Sequence, residues 1–329
     1  MKRTLTLLIA VLMLTVTAAC SGQEQPAVNE RLIVVGFSQV GAESEWRVAN
    51  TENMKQVLCE ENGFELIYAD AQQKQENQIR AIRNFIQQNV DYIVLAPITE
   101  SGWDAVLEEA WEARIPVIVV DRLVTVEKAY LYPAYVGSNF REEGDKAMTW
   151  LEDYLADAGR KDEEIRIVHI QGTLGSSAQI GRTDALMEAA ERNQSWSIIA
   201  QCDGDFTRSK AYEVMTGLLR QTTDIDVVYC ENDGEALGVI DALEEAGIRV
   251  GADGGVIIIS FDATNMGLRM CMEGKIDCVV ECNALQAPYV AEIIGKLERG
   301  ELVDKIEYVE ETQFDSATIT QEMIDERKY

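Results

Sequence analysis

LIVVGFSQVGAESEWR, residues 32–47, opens on an unbroken apolar run and ends with Trp46 beside Arg47, where a helix should begin. Apolar residues without polar alternation are what a strand covered on both faces of a sheet requires. The pattern then repeats outward. FELIYAD, YIVLAP and PVIVVD follow as short apolar runs, separated by the helical periods of ENQIRAIRNFIQQ and WDAVLEEAWEA. After YVGSN and a helix expected from about Arg141 to Ala158, a second series starts with IRIVHIQG, SIIAQCDGDF, DVVYCEND and GVIIISFDA. The expected fold class is therefore α/β, with two doubly wound parallel-sheet units in one chain.

Open parallel sheets bind ligands outside the carboxyl ends of their strands, so the residues at those ends matter most. The first series ends in Gln39 with Trp46 and Arg47, in Asp70, in Pro97, and in Asp121 with Arg122. The second ends in Gln171 and Gly172, in Asp205 and Phe206, in Asn232 and Asp233, and in Phe261 and Asp262. Carboxylates, amides and guanidinium groups are the partners that hydroxyl groups use, and an aromatic face suits the C–H side of a sugar ring. Each feature alone has a plainer use: an ion pair or cap for Asp121 and Arg122, the first core residue of a helix for Trp46, a helix start for Asn232. Their joint placement at successive strand ends favours one small polar ligand in a cleft between two lobes. Asp121 ends the most apolar strand of the first lobe, which should hold it rigidly, with Arg122 as the expected complementary donor.

Composition narrows the partners. The 329 residues include 57 acidic and 29 basic ones, for a formal net charge of −28, and no basic patch interrupts the excess. A phosphate backbone would be repelled, so nucleic acid is not an expected partner. Lys2 and Arg3 precede an apolar stretch from Leu5 to Val16 and then Thr17-Ala18-Ala19-Cys20. That order reads as a signal peptide over residues 1–20, resembling a bacterial lipobox with Cys20 as the lipidated residue, and is too short for a span of about 20 apolar residues. Residues 21–30, rich in Gln, Glu and Pro, read as a tether. The expected protein is exported, either lipid-anchored to the outer face of the cytoplasmic membrane or periplasmic.

Six further cysteines stand at 59, 202, 230, 271, 278 and 282, with no CxxC. Export permits disulfides, but the sequence does not decide their pairing. His169, the only histidine, lies within the apolar run IRIVHIQG. No metal and no cofactor are expected, and without GxSxG or GxxxxGK nothing points to an enzyme.

Taken together, GFSQVGAESEWR, DAQQKQENQIRAIRNF, LAPITESGWDAVLEEA, IPVIVVDR, QGTLGSSAQIGR, GDFTRSKAYEVM and ENDGEALGVIDALEEAG resemble the galactofuranose-binding proteins of bacterial sugar ABC importers, within the ribose-binding type of periplasmic binding protein. The resemblance covers almost all of residues 31–329. It implies a type I periplasmic binding protein of two lobes joined by a three-crossover hinge, with crossovers near residues 136, 282 and 309. The lobes would be residues 31–136 with 283–309, and 137–282 with 310–329. By position in these motifs, Trp46, Arg47, Asp121 and Arg122 from the first lobe match ligand-contacting residues. Arg182, Phe206, Asn232, Asp262 and Glu281 match from the second, with Glu43 as a further candidate. The implied protein is a monomer that closes on a monosaccharide, galactofuranose foremost, for an ABC permease and ATPase. A sugar sensor presenting its closed form to a membrane receptor or histidine kinase is the alternative. A repressor with the same core would need a helix-turn-helix where this chain has its signal segment.

Overall fold

The computed structural model describes residues 31–251 and 254–329. The expected signal peptide, Cys20 and the expected tether lie outside the described residues. From Leu32 to the C-terminus the chain forms one compact unit holding two six-stranded sheets.

The first series runs β1 (Ile33–Gln39), α1 (Glu45–Val57), β2 (Phe64–Asp70), α2 (Gln75–Gln88), β3 (Tyr92–Leu95), α3 (Asp104–Glu112), β4 (Val117–Asp121) and β5 (Ala134–Gly137). The second runs α4 (Phe140–Asp157), β6 (Ile165–Gln171), α5 (Ser177–Arg192), β7 (Trp196–Asp203), α6 (Arg208–Leu219), β8 (Val227–Cys230), α7 (Asp233–Glu245), β9 (Ile257–Asp262), α8 (Asn265–Met272) and β10 (Cys278–Glu281). The chain then returns with α9 (Ala287–Glu298) and β11 (Ile306–Tyr308), and ends with β12 (Gln313–Asp315) and α10 (Gln321–Glu326).

Strand order is β2-β1-β3-β4-β5-β11 in one sheet and β7-β6-β8-β9-β10-β12 in the other. Every pairing is parallel except β12 with β10, which is antiparallel. The all-parallel expectation is thus corrected at that edge, where the strand arrives by a short link rather than over a helix. The chain passes between sheets after β5, after β10, and between β11 and β12.

The apolar runs are strands because both their faces are covered. In β4, Ile118 and Val120 pack with Val35, Phe37 and Ile294 on one side, while Val117 and Val119 pack with Phe85, Trp103 and Leu107 on the other. The second sheet is built likewise: α6, α7 and α8 cover one face, and α4 and α5 the other. In each sheet the strand order reverses between its first and third strands, β1 and β3 or β6 and β8, which is the switch point where such sheets open a crevice. Among the described residues no helix is long and apolar enough to cross a membrane.

Candidate functional site

The loop after β1 leads to Ser44, whose hydroxyl caps α1 by accepting from the Arg47 N–H at 3.1 Å. The cap puts Trp46 and Arg47 in the first helical turn, both buried. Arg47 Nε donates to Glu43 Oε1 at 2.9 Å, and its Nη1 donates to Asp121 Oδ2 at 2.6 Å and to Gln39 Oε1 at 3.2 Å. The guanidinium carbon lies 4.7 Å from the Trp46 ring centre. Asp121 thus pairs with Arg47 rather than with Arg122, whose Nε is 3.9 Å away. Arg122 instead donates from Nη1 to the Ile98 carbonyl at 3.0 Å and lies 5.0 Å from the Phe206 ring.

On the opposite wall α5 supplies Arg182. Its Nε donates to Glu143 Oε2 at 2.7 Å, its Nη1 donates to the Glu231 carbonyl, and Nη2 stands 3.9 Å from Asp262 Oδ1. Asn232 is the N-cap of α7, accepting from the Glu235 N–H at 2.8 Å, while its Nδ2 donates to the Phe206 carbonyl at 3.2 Å. The helix-start reading of Asn232 is therefore right, and the residue faces the cleft as well. Phe206 fits only because residue 172 is glycine: a Cβ there would come 2.0 Å from Phe206 Cζ.

These groups line a small polar cavity where the two sheets meet. Glu43, Trp46, Arg47, Asp121 and Arg122 line it from the first sheet, and Arg182, Phe206, Asn232 and Asp262 from the second. Three of the lining residues carry positive-φ backbone without being glycine: Asp121 at φ 62°, Phe206 at 57° and Asp262 at 101°. Such angles are disfavoured for side-chain-bearing residues and recur where a site over-determines the backbone.

The electrostatics follow from packing three guanidinium groups and three carboxylates into so little space. Burial lowers the Arg122 pKa and the neighbouring Arg47 charge adds to this, with Asp121 and Glu43 opposing. For Glu43, burial alone would raise the pKa, but Arg47 and Arg122 hold it below the ordinary value. Burial drives Asp262 well above the usual carboxylate range, and Arg182 only partly offsets it. Glu43 Oε2 is buried with no hydrogen-bond partner among the described residues, an acceptor that a ligand hydroxyl would satisfy.

The walls are joined. Trp46 Nε1 donates to the Cys282 carbonyl at 2.6 Å, the Glu100 N–H to the Gly175 carbonyl at 2.9 Å, and the Leu123 N–H to Ser177 Oγ at 2.8 Å. The conformation is closed.

Glu281 departs from its expected place. It stands outside the cavity, ion-paired with Arg327 near the C-terminus and accepting from the Thr312 N–H at 3.0 Å. Conversely Phe140, Ala178, Ser44 and Cys282 line the cavity without having been singled out as ligand residues. Phe140 was within reach of the strand-end rule, since it follows β5 as Phe206 follows β7. His169 is buried between Glu231 and Gln201, and the six described cysteines are free. A wider groove, edged by Trp111, Tyr130 and Leu297, lies beside Ile115 and Pro116 at the start of β4, the wrong end of the sheet for a ligand site.

Residues 35–301 match the periplasmic binding protein domain. The chain belongs to that family. Among curated relatives, the galactofuranose-binding protein YtfQ of Escherichia coli K12 is 35% identical over 295 residues, covering 88% of this chain and 90% of the relative. A Mycobacterium smegmatis structure in complex with β-D-fucofuranose is 41% identical with a TM-score of 0.82, covering 87% of this chain and 92% of that one. The periplasmic binding protein component of the arabinose ABC transporter from Shewanella sp. ANA-3, bound to α- and β-L-arabinofuranose, is 34% identical with a TM-score of 0.83, covering 90% and 95%. Periplasmic binding proteins of this type act outside the cytoplasm and are solute binders.

Proposed function

We propose that the cavity binds one monosaccharide in its furanose form, galactofuranose foremost, and that the closed protein delivers it to an ABC permease and its ATPase. The observation that carries this reading is the packing of Arg47, Arg122 and Arg182 with Glu43, Asp121 and Asp262 around one pocket between the two sheets, faced by Trp46, Phe140 and Phe206. Paired donors and acceptors suit vicinal hydroxyls, and the aromatic faces suit the ring. All three relatives described above bear names of furanose binders. In this reading Trp46, Arg47, Asp121, Arg122, Arg182, Phe206, Asn232 and Asp262 contact the sugar, with Glu43 beside them.

The lobes, residues 31–136 with 283–309 and 137–282 with 310–329, part at the three crossovers and close when the sugar bridges them. The protein works as a monomer without cofactor or turnover, held to the outer face of the membrane through a lipid on Cys20. Arg47 holds the cavity carboxylates of Glu43 and Asp121 in fixed ion pairs, which suits holding sugar hydroxyls.

Calorimetry against D-galactose, L-arabinose, D-fucose and pyranose-locked methyl galactopyranoside tests the reading. One-to-one binding with Kd near micromolar, about −8 kcal/mol, is expected for the free sugars and none for the locked one. Equal binding of the locked pyranose, or hydrolysis of a galactofuranoside, would refute it. Fatty-acid labelling of whole cells, lost in Cys20→Ala, tests the anchor.

A further inference from the structure

All three crossovers meet at one buried node. Ser138 follows β5, Cys282 follows β10, and Glu311 lies between β11 and β12. Ser138 Oγ donates to Glu311 Oε1 and sits 3.3 Å from Cys282 Sγ, and the Asn283 N–H donates to the same Glu311 oxygen at 2.8 Å. Helix α4 sends Glu143 into this node, fully buried. One of its oxygens, Oε2, accepts from Arg182 in the sugar cavity, while Oε1 has no hydrogen-bond donor among the described residues. The carboxyl groups of Glu143 and Glu311 and the sulfur of Cys282 lie within 4.8 Å of one another.

Two ionised carboxylates held this close, one of them fully buried, repel each other, and such pairs resolve by sharing a proton. The hydrogen bonds say where that proton belongs. Glu143 is already committed to Arg182, which favours its anionic form, whereas Glu311 Oε1 accepts from a hydroxyl and an amide and leaves Oε2 to carry hydrogen. A proton there gives Glu143 Oε1 the donor it lacks. We propose that Glu311 is a carboxylic acid at neutral pH that donates to Glu143, and that this acid–carboxylate pair is the tie by which the hinge positions Arg182 in the cavity.

Other charged and titratable groups face Glu311 from every element packed around it. Burial, with the Glu143 charge second, pushes Glu311 up to about 9. From α4, Lys146 donates to the Glu311 carbonyl and pairs with Glu142. On the β5 side, the Tyr135 hydroxyl donates to the Ser138 carbonyl at 3.1 Å. From β10 come Cys282 and Glu281, the latter held by Arg327. Arg182 on α5 and Asp262 after β9 complete the surroundings through Glu143. Burial drives the Cys282 thiol and the Tyr135 hydroxyl well above their ordinary values, so both keep their protons where Glu311 loses its own.

A carboxyl whose folded pKa is raised contributes stability that is fully present below its unfolded value and lost as pH rises through about 9. Glu311 sits in a segment that bends when the lobes part, and Glu143 sits on a helix of the second lobe. Ionising Glu311 therefore removes the tie to Glu143, and sugar affinity falls as pH climbs toward about 9.

The experiment rests in one arm on the sugar reading and in the other does not. Infrared difference spectra of the sugar-free protein, wild type minus Glu311→Gln at neutral pH, should show one protonated-carboxyl band that vanishes in alkali. Calorimetry with D-galactose should show an alkaline decline in affinity in wild type. Glu311→Gln, whose amide can donate to Glu143, should keep neutral-pH affinity within about threefold and lose the decline, while Glu311→Ala should bind about tenfold more weakly. An absent carboxyl band, or one stoichiometric zinc ion on the three donors, overturns the proposal. So does a glutamine variant as weak as the alanine one. If D-galactose gives no heat at all, the sugar reading fails while the band still decides the protonation.

Discussion

Arg47 and Asp121 meet at 2.6 Å although 74 positions separate them, one in the first turn of α1 and the other at the end of β4. The pair is buried, and Glu43 holds the same guanidinium from its other side. Sugar hydroxyls arriving here would find a fixed array of donors and acceptors rather than mobile side chains, which lowers the entropy lost on binding.

Asp121→Ala is expected to reduce both affinity and stability. Read from sequence as facing the cleft, the residue should be dispensable for apo stability, whereas an ion pair with Arg122 would make it matter; the structure puts it at the cavity and in a buried pair with Arg47. Losing a charge-assisted bond to a sugar hydroxyl, worth about 1.5 to 3 kcal/mol, weakens binding about tenfold to a hundredfold. Glu43 remains on Arg47, so the stability loss should stay near 2 kcal/mol, below the ~3–5 typical of a buried charge left unpartnered. Calorimetry and urea unfolding on this one variant check both numbers. Unchanged affinity would remove Asp121 from the site.

Trp46→Phe keeps an aromatic face but deletes the indole N–H that reaches the Cys282 carbonyl. That bond spans from the first lobe to a crossover, so its loss should favour opening by about 1 kcal/mol, or roughly fivefold in affinity. Small-angle scattering of the sugar-bound protein should show a larger radius than wild type. An unchanged radius and affinity would make the bond incidental.

Gly172→Ala should act on the sugar without touching it. The added methyl would collide with the Phe206 ring, which must then leave its place between Arg122 and the cavity. Overpacking of this kind costs about 1 to 3 kcal/mol. The double variant Gly172→Ala with Phe206→Leu should recover stability but not affinity, measured by thermal unfolding and calorimetry together.

Much of the fold was legible because parallel strands buried on both faces read as nearly continuous apolar runs, as VIVV in β4 and III in β9 do before their polar ends. The hinge strands were not: β11 is IEY and β12 is QFD, three residues each, with exposed or half-buried ends and no apolar run to betray them. Strand-end reading found most of the cavity lining, since side chains at the carboxyl ends of both sheets necessarily face the cleft. It could not reveal that Asp121 would choose Arg47 over the adjacent Arg122, which depends on the left-handed turn at Asp121. Glu281 also ends a strand, but Arg327 from the far C-terminus claims it, a contact 46 positions away that no local motif encodes. The Ser138–Cys282–Glu311 node was out of reach for the same reason.

The most direct test is a crystal structure grown with D-galactose. The sugar should lie between Trp46 and Phe206 as a five-membered ring, with hydroxyl groups at hydrogen-bond distance, about 2.5 to 3.0 Å, from Asp121 or Asp262 and within reach of Arg182. A six-membered ring in that place would contradict the furanose preference, and density for the sugar anywhere other than this cavity would contradict the account as a whole.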